Sequence, residues 1–113
     1  MQNETVVQDL VESLKPSDPY RIVLFGSTAR GETNANSDID LMVVLDNDDV
    51  AQTYAERASK KLAVYKLVRD INYEYALDIL VYSKKELSIL KEYGNFFIDE
   101  IEKTGKVVYE KAG

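Results

Sequence analysis

Two apolar runs, "YRIVLF" at 20–25 and "DIDLMVVLD" at 38–46, flank a polar stretch. The first has the β-branched and aromatic content of a strand, and the second reads as another strand. The first stops at Gly26-Ser27, and the second opens on Asp38-x-Asp40 after ten intervening residues. Side chains alternate along a strand, so Asp38 and Asp40 point to the same face. If the Gly-Ser end and the Asp-x-Asp end serve one site, the two strands are antiparallel neighbours. The loop between them then folds back over that end.

A third strand is expected at "YALDILVYS", 75–83, and it holds Asp78 among apolar neighbours. An ionised carboxylate on a buried strand is costly unless something compensates it. A divalent cation shared with Asp38 and Asp40 would do so. Strands lie about 4.8 Å apart, so three carboxylates on adjacent strands can hold two ions about 3.5–4 Å apart. Oxygen ligands of this kind suit Mg²⁺, with Mn²⁺ as an alternative. Taken singly, each residue has a plainer role. Asp38 could belong to a turn with Asn34, Asn36 and Ser37, and Asp78 could pair with a lysine on an overlying helix.

Two phosphate- or metal-binding loops are excluded by their missing residues. "GSTARGET" has glycines at 26 and 31, the spacing of a P-loop, but Glu32 stands where the phosphate-binding lysine belongs. The aspartates also open the following strand, whereas a P-loop protein carries its magnesium-holding Asp at the far end of one. "DNDD" at 46–49 begins like a calcium loop, yet its sixth position is Ala51 and its twelfth Arg57. It reads as a turn in which Asp48 or Asp49 caps a helix.

The rest of the chain supplies helices and one more strand. Val7, Leu10, Val11 and Leu14 recur at helical spacing before "KPSDP" interrupts them. A long helix is expected after the acidic turn to about Arg69, with Val50, Tyr54, Ala58, Leu62 and Tyr65 or Val68 on one face. "KKELSILKEY" and "FFIDEIEKT" read as short helices around Gly94-Asn95. Gly105 ends the second, and "KVVYE" reads as an edge strand. The 113 residues make one domain, 1–113, of α+β (α/β) class. Its sheet is small, mixed and mainly antiparallel, packed with helices.

Composition narrows the chemistry. There is no histidine, so a general base must be a carboxylate, lysine or tyrosine. There is no cysteine, which removes disulfides and thiolate metal sites and fits a reducing cytoplasm. The formal net charge of −6 disfavours nucleic acid as a partner. The basic groups Lys60, Lys61, Lys66, Arg69 and Lys84-Lys85 read as solvated helix faces or as contacts for an acidic partner protein. No signal peptide is expected, and the apolar runs are too short to span a bilayer.

"GSTARGETNANSDIDLMVV", followed by a later strand aspartate, resembles the nucleotidyltransferase superfamily of DNA polymerase β and the aminoglycoside nucleotidyltransferases. It is most similar to the minimal members, the MNT-type antitoxins encoded beside HEPN-domain toxins. The resemblance implies a polymerase β-like core in which Gly26 and Ser27 hold the triphosphate of a bound nucleotide. It implies that Asp38 and Asp40 bind metal. Asp78 would bind the second metal and take the proton from the attacking hydroxyl. Arg30 would either touch phosphate or brace the loop against Asp38 or Glu32. The implied reaction moves AMP from a nucleoside triphosphate, ATP, to a hydroxyl with loss of pyrophosphate. In the antitoxin group the implied acceptor is a tyrosine of the partner HEPN toxin, in an assembly with that partner. Two other functions fit the same residues: neutralising a partner by binding alone, and modifying a small molecule of the aminoglycoside type.

Overall fold

The computed structural model describes residues 2–26 and 38–112, with side chains from Thr5 onward. Ser27, Arg30 and the turn residues at 34–37 lie outside the described residues. The elements are α1 (Gln2–Leu14), β1 (Pro19–Phe25), β2 (Ile39–Leu45), α2 (Tyr54–Leu67), α3 (Arg69–Glu74), β3 (Leu77–Ser83), α4 (Lys84–Glu92), α5 (Phe96–Thr104) and β4 (Lys106–Glu110). A single 3₁₀ turn, Lys15–Ser17, joins α1 to β1.

The strands form one sheet in the order β3-β2-β1-β4. β1 is antiparallel to both β2 and β4, and β2 is parallel to β3. The sheet is therefore mixed and mainly antiparallel, as the pattern of runs predicts. β1 and β2 occupy its centre and are buried on both faces, which is why they read as continuous apolar runs. On one face Leu10 and Leu14 of α1 and Val64 of α2 pack on Ile22, Leu41 and Ile79. On the other, Leu87 of α4 and Ile98 and Ile101 of α5 pack on Val23, Met42 and Val44.

The helix after the acidic turn departs from expectation in three ways. Its N-cap is Thr53, whose hydroxyl accepts the Glu56 N–H at 3.1 Å; Asp48 and Asp49 lie ahead of the helix. It ends at Leu67, and α3 starts after Val68, which is 1% exposed. The expected apolar face is largely in solvent, with Tyr54 88% and Leu62 59% exposed, while Val64 and Val68 are buried. The reason is the course of α2, which runs along the edge of the sheet. Only its second half lies over the core.

That course protects the edge strand β3. The Ile79 N–H donates to the Tyr65 hydroxyl at 2.9 Å, and the hydroxyl donates to Leu77 O at 3.4 Å. The Arg57 guanidinium donates to Val81 O at 3.4 Å. Side chains of α2 thus occupy backbone groups that would otherwise template another strand.

A buried carboxylate ties this edge to the next helix. Glu86, 5% exposed, accepts the backbone N–H of Ser83 at 2.9 Å and of Ala51 at 3.0 Å, and the Arg57 guanidinium at 2.7 Å. Ser83 and Glu86 form a reciprocal capping box at the start of α4. Burial pushes the Glu86 pKa up, but these N–H donors and Arg57 outweigh it and hold the carboxyl below its ordinary value. Because the folded pKa is depressed, the stabilisation is present above the unfolded pKa and is lost as pH falls through the folded one. Glu86→Ala is expected to destabilise the domain by roughly 2–4 kcal/mol at neutral pH. Urea melts across pH 3–7 should show the gap between wild type and variant closing only on the acidic side of the carboxylate range.

Candidate nucleotide site

The antiparallel register of β1 and β2 sets Phe25 opposite Asp40. The Gly26 end of the first strand and the Asp40 end of the second therefore meet at one end of the two central strands. The parallel register of β2 and β3 sets Asp40 opposite Asp78. Both carboxylates leave the sheet on the face that carries α4 and α5, beyond the core residues Met42 and Leu80 of the same strands. Asp38 lies just ahead of β2, two residues before Asp40, and its charge reaches Asp40.

Gly26 closes the site from the β1 side. Its φ is 69°, in the left-handed region, and a Cβ there would run into Asp40 Oδ2. The position requires glycine twice over: for the backbone conformation and for the space that the carboxylate occupies. Phe97 of α5 stacks edge-to-face on Phe25, with centroids 5.9 Å apart and planes at 85°. This aromatic pair fixes α5 beside the Gly26 end of β1.

Electrostatics perturb Asp40. Burial first, and then the neighbouring carboxylates of Asp78 and Asp38, raise its pKa above the ordinary aspartate value. No lysine or arginine among the described residues forms an ion pair with Asp40 or Asp78. Like charges held opposite one another repel, and a hard cation between them removes that repulsion. By donor chemistry and by register the residues fit such an ion. Among the described residues, however, no group of three or more carboxylates closes to within reach of a metal.

Asp78 corrects one expectation. It is exposed, because β3 is an edge strand. Its place in the site follows from its pairing with Asp40 and not from a need to neutralise a buried charge. The candidate phosphate contacts Ser27 and Arg30 lie outside the described residues. Sequence reasoning missed the buried Glu86 and its partner Arg57, although the capping-box spacing Ser83-x-x-Glu86 was a usable signal. The Phe25–Phe97 pair joins residues 72 apart and left no local sign.

The model of one protein family, described as "Polymerase beta, Nucleotidyltransferase", matches residues 8–112. The chain belongs to this family. The four-stranded sheet with helices on both faces is its core architecture. Two solved structures share the fold. One, described as a toxin-antitoxin with AMP-PNP, superposes with a TM-score of 0.60 at 19% identity, covering 93% of this chain and 73% of its own. The other, a candidate nucleotidyltransferase from Sulfolobus solfataricus, gives 0.61 at 20% identity, covering 95% and 79%. The search of curated proteins gave no significant match. No helix among the described residues is long and apolar enough to cross a membrane.

Gly26→Ala and Gly94→Ala separate the two demands on Gly26. Gly94 has φ 76° and nothing within 4 Å of an added Cβ, so its substitution should cost only the left-handed strain, about 1–2 kcal/mol. Gly26→Ala should destabilise the domain further in chemical denaturation, because Asp40 must also move. Equal losses at the two positions would contradict the close approach of Gly26 to Asp40.

Proposed function

We propose that this chain is a Mg²⁺-dependent nucleotidyltransferase that moves AMP from ATP to a hydroxyl, a tyrosine's, on a partner HEPN toxin, and so acts as an antitoxin. The observation that carries the reading is the Asp40–Asp78 register pair at the strand end closed by Gly26. Family membership supports the reaction type. The fold shared with a toxin-antitoxin structure holding AMP-PNP supports the choice of partner and nucleotide.

The residues divide the work as follows. Gly26 and Ser27 cradle the triphosphate with backbone N–H groups and the Ser27 hydroxyl, and Arg30 contacts phosphate or braces that loop. Asp38, Asp40 and Asp78 would hold Mg²⁺, which when bound neutralises triphosphate charge and the charge that develops on the α-phosphoryl oxygens. Asp78 accepts the proton of the acceptor hydroxyl, a carboxylate being one of the bases open to a chain without histidine. The hydroxyl oxygen bonds to the α-phosphorus as the bond from that phosphorus to the bridging oxygen breaks. The products are the O-adenylyl protein and pyrophosphate. The exposure of Asp78 on an edge strand suits this role, because a protein acceptor has to reach it from outside.

The test is transfer of label from [α-³²P]ATP to the operon-neighbour protein in Mg²⁺. Asp38→Asn with Asp40→Asn should lower the rate at least about 10³-fold, the equivalent of several kcal/mol of charge stabilisation. The same double variant should lose protection of cells that express the neighbour. Full protection by a variant unable to transfer label would replace catalysis with steric neutralisation.

A further inference from the structure

A groove of about 470 Å³ runs between α2 and the edge strand β3. Ala58 and Leu62 of α2 face Leu80 and Val81 of β3 across it, and Tyr54 stands at its rim. Tyr54 and Leu62 are 88% and 59% exposed, so apolar atoms are open to a partner beside the basic groups.

The charge of the groove runs against the charge of the molecule. The chain has 20 acidic and 14 basic residues, yet the groove lining includes Arg57 and Lys61 and no carboxylate. Arg57 is held by Glu86 on one side and lies 5.5 Å from the centroid of the Tyr82 ring on the other. The Lys61 ammonium sits 5.9 Å from the centroid of the Tyr65 ring. Among the outward backbone groups of β3, Leu77 O and the Ile79 N–H are taken by Tyr65 and Val81 O by Arg57. These contacts interrupt the ladder a guest strand would join, so recognition leans on side chains.

The groove also points at the site. Asp78, Leu80 and Tyr82 alternate onto the same face of β3. At about 3.3 Å per residue, Leu80 is roughly 7 Å from Asp78 and Tyr82 roughly 13 Å. An extended polypeptide in the groove places a residue two to four positions away beside Asp78.

We propose that this groove binds the acceptor polypeptide next to its modified hydroxyl, and that it selects a segment combining an acidic and an apolar side chain. The proposal rests on the role given to Asp78 in the proposed function. Its test is a binding measurement that needs no catalysis. Two fluorescent peptide pools, each with one central tyrosine, carry Asp and Leu or Lys and Ser at positions two to four residues away. Anisotropy should show the Asp/Leu pool binding at least 10-fold more tightly. Lys61→Glu and Leu62→Glu, at exposed positions, should each remove that preference, while Asp78→Asn keeps it. Equal affinity for the pools, or a preference that survives both groove variants, overturns the proposal. So does a homodimer in size-exclusion chromatography that Leu62→Glu dissolves, since the occupant would then be a second copy. If peptides bind as expected but no label transfers from ATP, the proposed reaction fails while the groove assignment stands.

Discussion

The pairing of β2 with β1 on one side and β3 on the other decides the arrangement of everything that matters to chemistry here. A shift of one residue in either register would send an aspartate to the opposite face of the sheet. The registers are held by burial. Leu41, Val43 and Ile79 fill one core, and Met42 and Val44 fill the other. With both faces covered, a slip would force core residues of one volume and shape into positions built for another. The site thus inherits its precision from an apolar sheet centre, and the carboxylates sit where that core ends.

The edge of the sheet is organised by different forces. Tyr65 and Arg57 cover the open backbone of β3, and Glu86 anchors Arg57 while capping α4. This network consists of charge-assisted and neutral hydrogen bonds, several of them shielded from water, where an unpaired member is costly. Because α2 is held to the strand edge by polar contacts, its apolar residues Tyr54 and Leu62 stay in solvent. The groove that results is a product of edge protection. A second clamp closes the opposite end of the strands: Lys111 bridges Asp18 at 2.8 Å and Asp46 at 2.7 Å. These contacts push the Lys111 pKa up, and Lys111 together with Lys84, 2.7 Å from Asp46, holds Asp46 at about 2. All three groups are solvent-exposed enough for this clamp to position the C-terminal strand more than to stabilise it.

A family built around a nucleotide and an acceptor normally has to place both. In this chain Asp40 lies at the Gly26 end of the central strands, and the exposed Asp78 lies on an edge strand. The difference between a half-buried inner carboxylate, Asp40, and an exposed outer one, Asp78, follows from the edge position of β3. Burial and like-charge neighbours act on Asp40, the residue wedged against Gly26.

Much of this was legible in the sequence because it depends on short-range pattern. The strands at 20–25 and 38–46, the helices around Gly94 and the edge strand after Gly105 follow from apolar periodicity and turn residues. The meeting of Gly26 with Asp40 follows from the positions of polar residues at the ends of two apolar runs. What the sequence could not decide was which strand lies at an edge and which helix half faces the core, since these depend on contacts between distant residues. Tyr54, Ala58 and Leu62 have the spacing of a buried face, yet the tertiary path of α2 along β3 leaves two of them exposed. Asp78 looked buried among apolar neighbours, and only the strand order β3-β2-β1-β4 places it on the rim. The spacing of the candidate site residues is a local property of the chain; their exposure belongs to the assembled sheet, because it depends on which strand ends up at the edge.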